Sequence, residues 1–331
     1  MELTTRYLGL ELRNPLVAGA GPFNAELDNI RRLEDLGAGA VVLPSIFEEQ
    51  IEREQQLMQD LITVGTDSYA EALTYFPSQA GYAVDPVRYL DLIRRATAAV
   101  DIPVIASLNG ITDHGWVEYA RQIEETGADA VELNIYFIPS DLDITGRAVE
   151  QRYIDILKAV KAAVRIPVAV KIGPYFSAIG NMARELDKAG ADGLVLFNRF
   201  YQPDIDLARL ALVSDLDLSR PYEVRLPLLW LGVLAGRVKA SLAASTGVSS
   251  MDEVVKYLLV GADVVMTTSA LLREGIQHIK SLRNGLEQWL VARGTHSLAE
   301  IRGRMSHRNI PDPTAFERAS YIKILQGYRR K

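Results

Sequence analysis

Short apolar runs alternate with amphipathic stretches along this chain, and at four places the junction between them is spelled in nearly the same way. A glycine-alanine step, usually followed by aspartate, opens an apolar run that ends in a polar residue. The copies are Gly37-Ala38-Gly39-Ala40-Val41-Val42-Leu43, Gly127-Ala128-Asp129-Ala130-Val131-Glu132-Leu133-Asn134, Gly190-Ala191-Asp192-Gly193-Leu194-Val195-Leu196-Phe197-Asn198 and Gly261-Ala262-Asp263-Val264-Val265-Met266-Thr267. Each follows an amphipathic stretch such as 117–126 or 182–189. A glycine after a helical pattern reads as the residue that closes the helix, and a short apolar run after it reads as a strand buried on both faces. A recurring α-to-β joint predicts repeated βα units, with polar residues gathered at the strand ends. That is the outline of a (β/α)8 TIM barrel, an α/β fold.

Apolar runs bounded by turn residues give eight candidate strands, at 16–19, 40–43, 104–107, 130–134, 168–172, 193–197, 241–245 and 264–267. Two share an entry, Asp101-Ile102-Pro103-Val104 and Arg165-Ile166-Pro167-Val168, where proline opens a strand at a position that needs no donor. Helical patterns at 26–36, 86–100, 115–126, 147–164, 177–189 and 251–259 separate most of them. Two connections are too long to be simple turns: 45–85 after the second strand and 199–226 after the sixth. Insertions at these ends of barrel strands are expected to be lids or binding loops. Beyond residue 276 the pattern is helical and charged, so a single domain over 1–331 is expected, with 277–331 as a C-terminal helical extension.

Composition narrows the chemistry. The chain has 331 residues, 48% of them hydrophobic, and a net charge of −6, so a full core is affordable and neither nucleic acid nor an anionic membrane is an expected partner. A basic tail, Tyr328-Arg329-Arg330-Lys331, reads as a solvated end. With no cysteine there is no disulfide, thiolate metal site, cysteine base or iron–sulfur ligand set in this sequence. The N-terminus lacks a charged region followed by an apolar core, and the longest apolar run, 226–235, is too short to span a bilayer. A soluble, cytoplasmic protein is expected.

The polar residues at the strand ends are Ala18-Gly19-Ala20-Gly21, Ser45, Ser107 with Asn109, Asn134, Lys171, Asn198, Thr246-Gly247-Val248 and Thr267-Thr268-Ser269. They are rich in amides and hydroxyls and hold one lysine but no histidine. His114, His278, His296 and His307 fall in helices or loops away from these ends, so no metal site is expected. Thr246-Gly247-Val248 and Thr268-Ser269 each precede a helical pattern after the last two strands. Paired helix N-termini with small hydroxyl residues suit a phosphate, although Ser249, Ser250 and Ser269 would look the same if they were only N-caps. Lys171 ends an otherwise apolar strand and needs a partner. The residues leave three roles open: an ion pair with Glu132, a Schiff-base amine, or a cation against an electron-rich cofactor ring.

Taken in order, these segments resemble the dihydroorotate dehydrogenase-like FMN enzymes, from about residue 8 to residue 275. Asn14-Pro15-Leu16-Val17-Ala18-Gly19-Ala20-Gly21 is similar to that family's opening strand, which passes under the flavin. Glu132-Leu133-Asn134 resembles the segment leading into its active-site loop, Lys171 its flavin-contacting lysine, and Asn198 the asparagine ending its sixth strand. Thr246-Gly247-Val248 and Thr268-Ser269-Ala270-Leu271 resemble its flavin phosphate loops, with Thr246 in place of one glycine of a pair. The resemblance therefore implies FMN as cofactor, held by Ala18, Gly19, Ser45, Asn109, Asn134, Lys171, Asn198, Thr246, Gly247, Val248, Thr268 and Ser269. It also implies an oxidoreductase acting on CH–CH donors and a link to pyrimidine biosynthesis.

The departures from that family fall on the substrate side. Ile135-Tyr136-Phe137-Ile138-Pro139 replaces the family's loop and sets Phe137 where its cysteine or serine base stands. Pro44 replaces a substrate-binding lysine, and the family's substrate motif is not recognisable around Pro77-Ser78-Gln79-Ala80-Gly81-Tyr82. Phenylalanine cannot accept a proton, so Phe137 is expected to add apolar surface over the flavin. Tyr136, or a hydroxyl or carboxylate in Ser140-Asp141-Leu142-Asp143, can replace the base only if the loop folds differently, and Tyr136 with Lys171, Asn134 and Asn198 makes the expected catalytic set. The substrate is then expected not to be dihydroorotate. Three alternatives stay open: a true dihydroorotate dehydrogenase with a relocated base, an aldolase-type lyase using Lys171, and a flavin-binding barrel subunit without turnover. Expected partners are a small-molecule substrate and a redox partner protein, and a homodimer is compatible with the sequence.

Overall fold

The computed structural model describes residues 1–47, 86–110, 113–200, 202–213, 217–317, 321 and 326–327. Eight parallel strands close into a barrel: β3 (Leu16–Ala18), β4 (Ala40–Phe47), β5 (Val104–Asn109), β6 (Ala130–Asn134), β7 (Val168–Ile172), β8 (Gly193–Leu196), β11 (Ser241–Ala244) and β12 (Val264–Thr267), with β12 pairing back onto β3. These are the eight expected strands, displaced by a residue or two at some ends and by four at the end of β4. β4 runs further than its apolar run suggests because its register with β5 shifts between Val42 and Ser45, around Pro44. Proline has no donor for the ladder, so the strand bulges there and resumes with Ser45 opposite Ser107.

The helices α1 (Leu27–Asp35), α2 (Pro86–Thr97), α3 (Asp113–Glu125), α4 (Gly146–Ala163), α5 (Ile179–Lys188), α6 (Arg225–Leu234), α7 (Met251–Val260) and the short α8 (Ser269–Glu274) follow barrel strands. Their apolar faces and the outward strand residues form one core. A second core fills the barrel itself, where Val17, Val42, Ile105, Ala169, Val195 and Met266 meet.

The repeated phrase has a physical reading at each letter. Gly37, Gly127, Gly190 and Gly261 have φ of 96°, 88°, 102° and 112°, the left-handed backbone that closes a helix and favours glycine. The aspartates act on the neighbouring strand. Asp129 accepts from the Val104 N–H at 2.8 Å, Asp192 from the Val168 N–H at 2.8 Å, and Asp263 from the Leu242 N–H at 2.7 Å. Each carboxylate thus takes a donor in the first two residues of the strand beside its own. In the first copy the position is Gly39, where a side chain would strike the Asn14 carbonyl. There Asn14 does the joining, donating to the Gly37 carbonyl and accepting from the Leu16 N–H.

Two hairpins lie outside the expected strands. β1 (Thr5–Tyr7) and β2 (Leu10–Leu12) form an antiparallel pair that closes the N-terminal mouth of the barrel. Tyr7, Leu8 and Leu12 join the interior core, and the Leu8 N–H donates to Ser241 Oγ. The connection after β8 carries β9 (Asp204–Asp206) and β10 (Ala211–Val213), also antiparallel. At three residues each, one of them Asp-Ile-Asp, these strands carry no apolar run long enough to be read from the sequence. Nearly all of the connection expected after the second strand, with the motif at 77–82, lies outside the described residues, as does the tail at 328–331.

Past α8 the chain continues as α9 (His278–Ala292), which packs on α7 and β3, and ends its described part in single turns at Leu298–Glu300 and Pro313–Phe316. Among the described residues no helix is long and apolar enough to cross a membrane.

Candidate active site

The C-terminal ends of the strands surround a cavity of about 720 Å3, within the range of roughly 300–1,000 Å3 usual for small-molecule sites. Of the expected site residues, Ser45, Asn134, Tyr136, Lys171, Asn198, Thr246, Gly247, Val248, Thr268 and Ser269 line it. Ala18, Gly19 and Asn109 do not. Ala18 is wholly buried in β3 and Asn109 is buried at the end of β5, opposite Phe47. Gly19 lies behind the wall, where its missing side chain leaves room for Thr268 Oγ1. The residues just after it, Ala20, Gly21 and Pro22, form the wall instead.

The floor is a polar chain across four strands. Asn198 Nδ2 donates to Asn134 Oδ1 at 2.5 Å, Asn134 Nδ2 donates to Ser45 Oγ at 3.3 Å, and the Ser45 and Ser107 hydroxyls are 2.7 Å apart. Either hydroxyl of the Ser45–Ser107 pair can be the donor, since Ser45 has a second lone pair beside the one that accepts from Asn134. Tyr89 locks the far end, accepting from the Ser107 N–H and donating to the Ser107 carbonyl.

Beside this chain the β6–β7 register sets Asn134 opposite Lys171. Lys171 Nζ lies 3.6 Å from Glu132 Oε1, with Glu132 only 1% exposed. The ion pair anticipated for Lys171 is therefore made, yet the lysine also faces the cavity. Glu132 Oε2 has no hydrogen-bond partner among the described residues, nor has the Tyr7 hydroxyl. Burial, and after it the Glu132 and Asp263 carboxylates, hold that phenol well above the usual tyrosine range.

Beside the end of β8, the loop after β11 is locked in an unusual backbone. Thr246 has φ 82° and Gly247 φ 75°, and a β-branched residue in that region is strained by roughly 1–3 kcal/mol. Two bonds hold it: Thr246 Oγ1 donates to the Phe197 carbonyl at 3.0 Å, and the Tyr257 hydroxyl donates to the Thr246 carbonyl at 2.7 Å. Thus Thr246 keeps a glycine's conformation without being glycine.

The helix N-terminus after this loop is a different matter. Ser250 N and Oγ both donate to Glu253 Oε2, so a carboxylate closes the start of α7. The helix after β12 has only six residues. The anion-suited groups are therefore the hydroxyls around Gly247, not paired helix ends.

One of those hydroxyls belongs to a residue that the pattern of the chain did not mark. Ser219 Oγ accepts from the Gly247 N–H at 3.1 Å and donates to Ser269 Oγ at 3.0 Å, and Arg273 donates to the Ser219 carbonyl. Arg199, Phe200 and Asp217 also line the cavity from the same long connection. Only the return of that connection over the barrel brings them in, and no local periodicity announces it.

Phe137 is not on the cavity wall. Its ring lies under the Arg152 guanidinium, 4.5 Å from the centroid, on the α4 side. Alternation along the loop turns Tyr136 inward in its place, where it stacks on Phe200 with centroids 4.6 Å apart. The expected apolar cover over the site is thus Phe200 with Tyr136, and not Phe137.

His278 and His307 lie off the site, the first against the Ser249 carbonyl and the second between Arg237 and Glu317. Among the described residues no group of His, Cys, Asp or Glu is placed to hold a metal.

Comparison with known proteins adds to this geometry. The family model for dihydroorotate dehydrogenase matches residues 2–290. The catalytic subunit of dihydroorotate dehydrogenase B (NAD(+)) from Pyrococcus abyssi is 27% identical over 91% of this chain and 98% of the relative. The subunit of the same name from Methanothermobacter thermautotrophicus is 26% identical over 91% and 97%. The NAD-dependent dihydropyrimidine dehydrogenase subunit PreA of Escherichia coli is 23% identical over 94% of this chain and 78% of its own. A match across nearly the whole barrel, including every strand that contributes to the cavity, places this chain in the dihydroorotate dehydrogenase family, oxidoreductases that act on CH–CH donors.

Proposed function

We propose that the protein is an FMN-dependent oxidoreductase whose substrate is not dihydroorotate. The observation that carries this reading is the make-up of the cavity wall among the described residues: groups suited to a flavin line it, and Pro44 stands where a substrate-binding lysine was expected. Lys171, Asn134 and Asn198 meet at the ends of β6 to β8, and Gly247, Ser269, Thr268 and Ser219 gather beyond β11 and β12. Lys171 would hold the polar edge of the ring, the two asparagines are left to the substrate, and the hydroxyls of the second set, with Ser219 turning from the Gly247 N–H, would hold the phosphate. Gly247 itself has no room for a side chain, since a Cβ would meet Val224 and the Arg220 carbonyl. When bound, FMN supplies the hydride acceptor.

The chain's own part is to orient the substrate on the asparagine floor, exclude water with the Tyr136–Phe200 pair, and hold or move one proton at Tyr136 Oη. At the substrate end Pro44 faces the cavity with no charge. An aldolase-type reading finds less support, because the ion pair of Lys171 with Glu132 is made by an ammonium, whereas a Schiff base forms from the free amine. Three relatives are named as subunits, which supports onward passage of electrons to a partner chain.

The purified protein should be yellow, and the chromophore released by heat should have the mass of the mononucleotide. A colourless protein that binds no added FMN would end the reading. Mixing the yellow protein anaerobically with dihydroorotate should leave the flavin oxidised over many seconds. Rapid bleaching would narrow the function to dihydroorotate dehydrogenase.

A further inference from the structure

From the charges on the cavity wall we infer that the site takes an uncharged cyclic carbonyl compound, the dihydro ring as hydride donor and its planar unsaturated counterpart as product, and discriminates against carboxylates. The inference rests on the FMN reading above and goes on to name the class of substrate. Among the described residues two cations line the cavity, Lys171 and Arg199. Each is matched by an anion of its own. Lys171 pairs with the buried Glu132, and Arg199 Nε donates to Glu223 Oε1 at 3.0 Å while its Nη1 donates to the Asp217 carbonyl. Glu223 is fixed in turn, because its other oxygen accepts from the Arg220 N–H at 2.6 Å. Asp217, also on the wall, has among the described residues only the exposed Arg220 as counter-charge.

A carboxylate entering this cavity gives up its water and, among the described residues, finds no surplus positive charge to replace it. Desolvation of an unpaired ion costs several kcal/mol. A neutral carbonyl meets no such penalty, and the floor is made for it. The one-way chain from Asn198 through Asn134 to Ser45 leaves the second N–H of each amide and the Asn198 Oδ1 to face a ligand. Donors beside an acceptor match an amide or imide edge. The Tyr136, Phe200 and Tyr175 rings, at successive centroid distances of 4.6 and 4.9 Å, provide an apolar wall for a flat ring.

The test uses one ring with and without a carboxylate. The holoprotein is titrated with uracil and with orotate, followed by the change in the flavin absorption spectrum, and nicotinamide and nicotinate serve as a second neutral–anionic pair. The neutral member of at least one pair should bind at least about tenfold more tightly than its carboxylate. Glu223→Gln, which releases Arg199, should narrow that preference by about tenfold. Glu132→Gln makes the same test at Lys171 should the first variant not fold. Tighter binding of the carboxylate in both pairs, no binding of either neutral compound, or a preference unmoved in the folded variants would overturn the inference while leaving the FMN reading intact. A protein without flavin would instead end the reading on which the inference rests.

Discussion

Lys171 Nζ and Glu132 Oε1 stand 3.6 Å apart at the top of the barrel core, with the carboxylate almost wholly buried and the ammonium at the cavity edge. Lys171→Ala strands the Glu132 charge inside the barrel, and breaking a buried pair in this way typically costs about 3–5 kcal/mol. Lys171→Met combined with Glu132→Gln should recover most of that loss in urea unfolding. If the single variant is as stable as the parent, Glu132 is not held as an anion by this lysine. The same alanine variant should lower the flavin midpoint potential, because a positive charge beside the reduced ring is removed, and Lys171→Arg should preserve part of it.

Tyr136→Phe removes one oxygen from the cavity and keeps the stacking on Phe200. A positioned acid or base supplies roughly 10²–10⁴-fold, so the variant should slow flavin reduction by that order with whichever neutral dihydro compound bleaches the parent fastest. Flavin content should not change. A rate within a factor of two of the parent would place the proton with another group.

Asp192 joins β8 to β7 by accepting from the Val168 N–H, and Lys161 Nζ meets the same oxygen at 2.6 Å. Asp192→Ala leaves that strand-opening donor without its acceptor and should lower stability by about 1–2 kcal/mol. Asp192→Asn, which keeps an acceptor, should lose less. Equal losses in thermal unfolding would show that the contribution is the Lys161 pair alone.

Burial raises four phenols, Tyr7, Tyr89, Tyr153 and Tyr257, with Tyr153 pushed up to about 12. The unfolded chain ionises its tyrosines near pH 10, so above that pH it binds fewer protons than the native state and stability falls as pH rises. Each such tyrosine contributes about 1.4 kcal/mol per pH unit between its unfolded and folded values. The unfolding midpoint should therefore drop steeply above pH ~10, the unfolded tyrosine value, and Tyr153→Phe should flatten the drop. A midpoint level to pH ~12 would contradict the burial of these rings.

What the sequence determined by itself is the barrel and one half of the site. Helix-closing glycines, two-faced strands and the polar residue at each strand end are local features, written within about ten residues of one another. They were enough to mark β6, β7 and β12 at their observed ends and to set Asn134, Lys171 and Asn198 at one rim. The aspartates of the repeat were visible too, but their partners are N–H groups on the neighbouring strand, and only closure of the sheet shows which.

The tertiary structure decided the rest, for reasons of distance and direction. Ser219 reaches Gly247, and Arg199 reaches Glu223, through a long connection whose path depends on packing and not on periodicity. Phe137 and Tyr136 are adjacent in the chain, and which of them faces the cavity depends on how the loop leaves β6. The carboxylate of Glu253 closes the start of α7 because its side chain folds back onto Ser250, which turns an apparent anion site into a capped helix. Local pattern specifies where the strands end, whereas the identity of the groups that meet above them is fixed by contacts between segments far apart in sequence.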